Sequence, residues 1–176
     1  MLLAHLALAG SARCRQTCMM DEANPQTYAD VFTRLEREGV RYVVTSGVAV
    51  VLHGHVRPVA DLDVVIDPSP AEAERALRAL AGCGFVPSIP LPLTMLTVLR
   101  MFDHSGREVD VFFRYHVPFD QLWANSQRVR VGDCVTRIVS LEHLLLAKRI
   151  NGRAHDLSDI AALLALGAGG QGPTPT

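Results

Sequence analysis

The chain has 176 residues, a formal net charge of -1 at pH 7, and a composition that is 49% hydrophobic and 20% charged. This length and apolar content favour one domain with a substantial core and exclude a fully disordered chain. The near-neutral charge argues against a broad basic surface for nucleic acid. No apolar run approaches the ~18 residues that a membrane-spanning helix needs, so we expect no membrane partner. Lys148 is the single lysine among 17 basic residues, all the others being arginine.

The two ends of the chain differ in composition from the part between them. Residues 1–20 are predicted to be a disordered leader or a misassigned start, with a secretion signal as the less favoured alternative because no positive segment precedes the apolar run. Residues 167–176 are rich in Gly, Pro and Thr and predict a disordered tail. Residues 21–166 are then one domain. The four cysteines lack metal-ligand spacing, which favours a reduced, cytoplasmic protein.

Helices and strands mix along the chain. Apolar residues at helical spacing behind N-cap residues predict helices, and β-branched or aromatic runs predict strands. In chain order we predict a helix over 24–39, a strand over 40–45, a short helix over 48–52, a strand over 61–66, a helix over 69–82, a hairpin of strands 94–102 and 108–113, a short helix over 119–124, a second hairpin of strands 128–131 and 135–139, and helices over 140–150 and 155–166. This order predicts a mixed α/β fold of the α+β type, in which helices flank a mixed β-sheet and a helical pair ends the chain.

Three acidic residues stand in strands that are otherwise apolar. Asp61 and Asp63 flank a leucine, so the two-residue period of a strand places both carboxylates on one face. Asp110 lies between two valines on a later strand. If these strands are neighbours, the three carboxylates converge and suit a divalent cation, most naturally Mg²⁺, or two ions ~3.5–4 Å apart. The alternative is that strand-end aspartates cap turns or face water.

A serine–glycine pair precedes the first two acids. Ser46 and Gly47 fall where the predicted strand 40–45 gives way to a short helix. Free N–H groups at such a junction bind anions, and glycine lets the backbone approach a phosphate closely. Because any tight turn can use these residues, their position before the acidic strand is what makes them informative.

The segment 43–63, together with the later aspartate, resembles the signature of the polymerase-β-type nucleotidyltransferase superfamily. That signature is a hydrophobic residue, a Gly-Gly or Gly-Ser pair, a spacer and Asp-hydrophobic-Asp, followed by a third Asp on a later strand. The resemblance implies a nucleotidyltransferase-like core in which the acids hold two Mg²⁺ ions. It also implies that the glycine turn holds a nucleoside triphosphate (NTP), the substrate.

Carried over to this chain, the resemblance assigns roles to five residues. Ser46 and Gly47 would hold phosphate. Asp61, Asp63 and Asp110 would bind metal and form the catalytic set, and Asp110 would also help to activate the acceptor hydroxyl.

The chain departs from that pattern at two places. The pair is Ser-Gly rather than Gly-Gly or Gly-Ser, which leaves the first backbone approach less free. Many relatives have Thr two residues after the arginine, and here that position is Val59. Arg57 itself, just before the acidic strand, is predicted to bind phosphate or to stabilise the strand.

The C-terminal segment 140–160 is the second informative stretch. Lys148 follows Leu141 and Leu144 at helical spacing, so it lies on or beside the apolar face and points inward or to the rim of a cleft. Asp156 and Asp159 share one face of the next helix. A solvated lysine, and an aspartate that favours the helix dipole, are the plainer alternatives.

This segment is similar to the Lys…Arg-x-x-Asp-x-x-Asp segment of the AbiEii-type nucleotidyltransferases, a group of abortive-infection and toxin–antitoxin proteins. The resemblance implies that Lys148 contacts nucleotide phosphates and takes part in catalysis. It also places Asp156 and Asp159 in the nucleotide site.

Together these features predict a Mg²⁺-dependent enzyme that transfers a nucleoside monophosphate (NMP) from an NTP to a hydroxyl group. The acceptor would be an RNA 3′ end, a protein or a small molecule, and a cognate antitoxin is a possible partner. The alternative is a non-catalytic nucleotide-binding or antitoxin-like module that keeps the fold.

Overall fold

A computed structural model describes residues 24–89 and 96–168 of the chain. The predicted leader over 1–20 lies outside these residues, as does the tail beyond residue 168. The first two residues of the predicted tail, Gly167 and Ala168, are instead the last residues of a helix.

Seven strands and six α-helices make up the described residues, after a 3-10 turn at Pro25–Tyr28. The strands are β1 Tyr42–Thr45, β2 Leu62–Ile66, β3 Val86–Pro87, β4 Val98–Phe102, β5 Glu108–Phe112, β6 Gln127–Val131 and β7 Cys134–Ile138. The helices are α1 Ala29–Arg37, α2 Ser46–Leu52, α3 Pro70–Ala81, α4 Phe119–Asn125, α5 Leu141–Asn151 and α6 Ala154–Ala168.

All seven strands form one mixed sheet in the order β3-β4-β5-β2-β1-β7-β6. β2 pairs parallel with β5 and β1 pairs parallel with β7, whereas the other neighbours are antiparallel. A mixed sheet flanked by helices, ending in a helical pair, is the predicted fold class, which is confirmed. The predicted condition for the acidic cluster, that β2 and β5 are neighbours, also holds.

Alternating residues of the central strands fill two apolar layers. Leu62 and Val64 of β2 pack with α1 and α3 on one face, whereas Val65 packs with α2, α4, α5 and α6 on the other. Asp63 lies between Leu62 and Val64 in sequence, so it is on the second face. The same alternation puts Asp110 there, since Val109 and Val111 belong to the first layer.

The predicted elements are all present, with shifted limits at several ends. The first predicted helix is split into the 3-10 turn and α1, and α2 begins at Ser46 rather than at residue 48. The predicted strand 94–102 begins at Val98 among the described residues. The short strand β3 was not predicted, because two residues are too few to produce an alternating pattern.

Among the helices of the described residues, none is both long and apolar enough to cross a membrane.

Candidate active site

The three acids gather on one face of the central sheet. In the strand register, Thr45 of β1 lies opposite Asp63 of β2, Asp63 opposite Asp110 of β5, and Asp110 opposite Arg100 of β4. Asp61 lies just before β2, two residues from Asp63 and therefore on the same face. Strand pairing thus assembles side chains from four strands into one row.

The carboxylates are close enough to share a cation. Asp61, Asp63 and Asp110 each offer an oxygen, and these oxygens all lie within 4.8 Å of one another. Asp63 and Asp110 are each 7% exposed, and Asp61 is half-buried. Three carboxylates in so small a space repel one another, so the arrangement favours a positive ligand.

Asp63 carries the electrostatic cost of this arrangement. Burial raises the pKa of Asp63 to about 7, and the neighbouring Asp61 carboxylate adds to the rise. Contact with the Ser46 side chain opposes the shift, as does the Arg153 guanidinium. Near neutral pH, this carboxyl group therefore divides between its protonated and charged forms.

The Ser46–Gly47 turn lies beside the acids because β1 ends where the antiparallel β2 begins. Ser46 adopts a left-handed φ of 54°, a conformation that favours glycine. A Cβ on Gly47 would lie 2.9 Å from a methyl carbon of Val59 and 3.4 Å from a guanidinium nitrogen of Arg57. Glycine is therefore required at residue 47 by packing, and the residue that stands in an unusual conformation is Ser46.

Replacing Ser46 with glycine should raise the free energy of unfolding by about 0.5–1 kcal/mol, because glycine relieves the left-handed strain. Urea denaturation at pH 5 measures this. Ser69→Gly is the matched control. Ser69 has a φ of −65° at the start of α3, so there the same change should cost a few tenths of a kcal/mol. A loss at residue 46 equal to that at residue 69 would show that the turn is unstrained.

A cavity of about 1480 Å³ opens over the acids and the turn. Its lining includes Ser46, Gly47, Arg57, Asp61, Asp63 and Asp110, six of the nine residues predicted for the site. Small-molecule sites commonly measure ~300–1,000 Å³, so this cleft has room for a nucleotide and part of an acceptor.

The other three predicted site residues do not line the cavity. Lys148, Asp156 and Asp159 are at most 2% exposed and form a buried cluster. The Lys148 ammonium nitrogen lies 2.9 Å from Asp156 and 2.7 Å from Asp159. This position agrees with the predicted inward direction of Lys148. Its ammonium contacts two aspartates and does not reach the cavity, where a nucleotide phosphate would lie.

Arg100 was not singled out from the sequence. Its guanidinium donates to both carboxylate oxygens of Asp110, at 3.0 and 2.8 Å, and lies 2.7 Å from Glu108. Arg100 and Asp110 face each other across β4 and β5. The alternation of exposed and buried residues along β4 would have placed Arg100 on the polar face, but its partner depends on the strand register.

Two further lining residues were missed. Tyr115 follows β5, and its hydroxyl lies 2.8 Å from that of Thr45. Burial raises the pKa of Tyr115 to about 12, so it is a neutral hydrogen-bonding group. Arg153 stands between α5 and α6 and donates to Asp156 through its Nε at 2.9 Å. Tyr115 belongs to no local motif, so the sequence carried no signal for it. Arg153 is the arginine of the Arg-x-x-Asp-x-x-Asp segment, but the sequence analysis gave it no role.

Three solved structures resemble the fold. The lincosamide antibiotic adenylyltransferase LnuA, with lincomycin bound, aligns with a TM-score of 0.62 and 15% identity, over 82% of this chain and 98% of LnuA. A proposed nucleotidyltransferase from Thermotoga maritima aligns with a TM-score of 0.58 and 18% identity, over 84% of this chain and 98% of that one. An antigenic nucleotidyltransferase-like protein from Paracoccidioides brasiliensis aligns with a TM-score of 0.54 and 17% identity, over 81% of this chain and 76% of that one.

No protein-family model matches the chain, and no curated protein matches its sequence. At these identities the structural likeness concerns the fold and not the activity. Membership of the polymerase-β-type superfamily, and closeness to the AbiEii-type group, stay predictions.

Proposed function

We propose that the protein is a Mg²⁺-dependent nucleotidyltransferase that moves an NMP from an NTP to a hydroxyl acceptor. The observation that carries this proposal is the row of Asp63 and Asp110 on neighbouring parallel strands, with Asp61 beside them. The Ser46–Gly47 turn stands at the same end of the sheet. Fold similarity to nucleotidyltransferases supports the same assignment.

The donor set fits a hard divalent cation. Carboxylate oxygens are the ligands that Mg²⁺ prefers, and it commonly binds a few carboxylates together with substrate phosphates. Asp61, Asp63 and Asp110 would hold one or two such ions. When bound, the metal neutralises charge on the phosphates and on the attacking oxygen. The raised pKa of Asp63 agrees with a role in binding a cation, since burial leaves this carboxylate poorly compensated by the protein's own groups.

The reaction is an in-line displacement at the α-phosphorus. The acceptor hydroxyl oxygen forms a bond to that phosphorus, and the bond from the phosphorus to the oxygen that bridges to the β-phosphate breaks. Pyrophosphate leaves with the bonding electron pair. In this proposal Asp110 accepts the hydroxyl proton at a carboxylate oxygen that also accepts from Arg100, while Ser46 and Gly47 hold the phosphates beside Arg57. Positioning and charge stabilisation supply the rate enhancement.

The acceptor is an RNA 3′ end, a protein side chain or a small molecule. LnuA, one of the similar folds, is an adenylyltransferase of a lincosamide antibiotic, which supports including small hydroxylated molecules. Toxin activity with a cognate antitoxin, and a cytoplasmic location, belong to this proposal through the AbiEii resemblance and the reduced cysteines.

The test is transfer of label from α-³²P NTPs. Each of the four NTPs is incubated with the protein and Mg²⁺, in separate mixtures containing total RNA, cell protein or a panel of lincosamides and other small hydroxylated molecules. We expect one class of acceptor to become labelled, and Asp61→Ala/Asp63→Ala to abolish the labelling. The assignment fails if no mixture yields a labelled product, or if the double variant labels as well as the wild type.

A second candidate function is a non-catalytic nucleotide-binding module. It is favoured by the double hydrogen bond from Arg100, which occupies both oxygens of Asp110. Under this alternative the protein binds an NTP without transferring it. Arg100→Ala distinguishes the two. An enzyme restrained by this contact should gain metal affinity and transfer an NMP, whereas a binding module should keep its NTP affinity and transfer nothing.

A further inference from the structure

Lys148 is enclosed by two carboxylates beneath the cavity. Its ammonium nitrogen is 2.9 Å from an oxygen of Asp156 and 2.7 Å from an oxygen of Asp159, and its side chain is 3% exposed. The two aspartate side chains are 0% and 1% exposed. This ammonium is paired with the two carboxylates and is buried away from any ligand in the cavity.

Each of the two aspartates also holds an arginine that lines the cavity. Asp159 accepts two hydrogen bonds from Arg57, at 2.7 and 2.8 Å. Asp156 accepts one from the Nε of Arg153 at 2.9 Å and one from its backbone N–H at 3.3 Å. The contacts repeat on both sides: one lysine in the middle, two aspartates around it, and one arginine beyond each aspartate.

The charges of this cluster do not cancel. Two carboxylates meet three basic groups, so the cluster has one basic group in excess, and the two arginines lie on its cavity side. Within the part of the chain that the structure describes, Arg153 uses its Nε for Asp156 and makes no hydrogen bond through its two Nη groups. Its side chain is 56% exposed. These donors are free for an anion.

The two arginines stand close to the turn and the acids. The Arg57 guanidinium lies against Gly47, 3.4 Å from where a Cβ would be. The positive charge of Arg153 acts on Asp63. Both guanidinium groups line the cavity that holds the turn and the acids, and guanidinium groups favour bonds to phosphate oxygens.

We propose that Lys148 is a positioning residue, which acts through Asp156 and Asp159 to hold Arg57 and Arg153 as a pair that binds the triphosphate. This inference rests on the proposed function for the identity of the anion. It replaces direct phosphate contact by Lys148 with an indirect role. It also gives the single lysine of the chain a role, since a compact ammonium with three donors can donate to two buried carboxylates at once.

Binding of inorganic tripolyphosphate, measured by isothermal titration calorimetry, tests the inference without knowledge of the base. Arg153→Ala should weaken binding about tenfold, the loss expected for charge-assisted hydrogen bonds. Lys148→Met/Asp156→Asn removes one charge of each sign and leaves Asp159 bonded to Arg57, so net charge and folding are preserved as far as the cluster allows. We expect the same tenfold loss, because Arg153 loses its anchor.

Combining the three changes distinguishes positioning from contact. If Lys148 acts only through the arginine, Lys148→Met/Asp156→Asn/Arg153→Ala binds tripolyphosphate as weakly as Arg153→Ala and no more weakly. The matching arm, Lys148→Met/Asp159→Asn with Arg57→Ala, should behave in the same way. Circular dichroism verifies that each variant is folded before it is titrated.

Three results would overturn the inference: an additional tenfold loss in the combined variants, a charge-conserving variant that binds as well as the wild type, or a wild type that does not bind tripolyphosphate. The proposed function is tested separately by label transfer. If the protein transfers label but the losses of tripolyphosphate affinity add up in the combined variants, the protein is an enzyme and Lys148 has no positioning role. If those losses do not add up and no label is transferred, Lys148 positions the arginine pair but the protein is not an enzyme.

Discussion

Replacing Asp63 by asparagine is expected to stabilise the metal-free protein at pH 8 and to lower nucleotide transfer at least ~10²-fold. The folded-state pKa is about 7, whereas an unfolded aspartate titrates near ~3.9. Between these values the folded state keeps a proton that the unfolded state has released. The destabilising contribution of Asp63 is therefore absent below about pH 4 and grows as the pH rises to about 7, to as much as ~4 kcal/mol. Asparagine is uncharged and removes this loss.

Urea denaturation at pH 5 and pH 8, with and without Mg²⁺, measures the effect. Without metal, Asp63→Asn should show a flatter pH dependence than the wild type. With metal at a hundred times its dissociation constant, the wild type should gain about 2.7 kcal/mol and the variant should gain little. Asp133→Asn, in the exposed turn between β6 and β7, is the control and should follow the wild type. Equal pH slopes for Asp63→Asn and the wild type would contradict the electrostatic role of this carboxylate.

Lys148→Met is expected to lower the free energy of unfolding by about 3–5 kcal/mol, the range found when one partner of a buried ion pair is removed. Burial alone would raise the pKa values of Asp156 and Asp159. Hydrogen bonds from Lys148 and Arg153 nevertheless bring the pKa of Asp156 below its usual range. Hydrogen bonds from Arg57 and Lys148 do the same for Asp159. Methionine preserves the length of the side chain but leaves two buried carboxylates without the central cation.

The adjacent Arg149 provides the matched control, because it lies on the same helix and is exposed. Arg149→Met should change stability by no more than about 0.5 kcal/mol. Lys148→Met/Asp156→Asn should recover part of the loss, since it removes one of the stranded charges. Urea denaturation at pH 7 compares the four proteins. A loss below about 1 kcal/mol for Lys148→Met would mean that water, rather than the lysine, balances these acids.

The lowered pKa values also determine how the cluster responds to acid. Each aspartate contributes stability above its unfolded pKa near ~3.9, and that stability is lost as the pH falls through the lower folded value. Asp63 has the opposite sign. The buried cluster therefore stabilises the fold most at neutral pH, whereas Asp63 in the metal-free row destabilises it there. A cation bound as proposed would remove this second effect.

The acidic site was predictable because the local periodicity of the strands determines which face each aspartate lies on. The two-residue period of a strand places Asp61 and Asp63 on one face whatever the fold around them. The same period places Asp110 on the polar face of β5. A single further condition, that β2 and β5 pair, was enough to bring the three together, and strand pairing in parallel register supplies it.

The position of the Ser46–Gly47 turn was predictable, but its strain was not. Ser46 and Gly47 stand at the end of β1 as expected. The left-handed φ of Ser46 arises because the chain must turn at once from β1 into α2, with no intervening loop residue. Residue propensity argues against serine in that conformation, so only the tertiary structure reveals it.

The sequence by itself determined the alternation of apolar and acidic residues, and with it the fold class, the faces of the strands and the place of the acidic cluster. Tertiary structure decided the partners of the charged side chains. Arg57 and Asp159 are 102 residues apart in sequence. Lys148 meets two carboxylates from the following helix instead of a ligand. Periodicity states which way a side chain faces, whereas the identity of the group it meets depends on how distant segments pack, which no local pattern encodes.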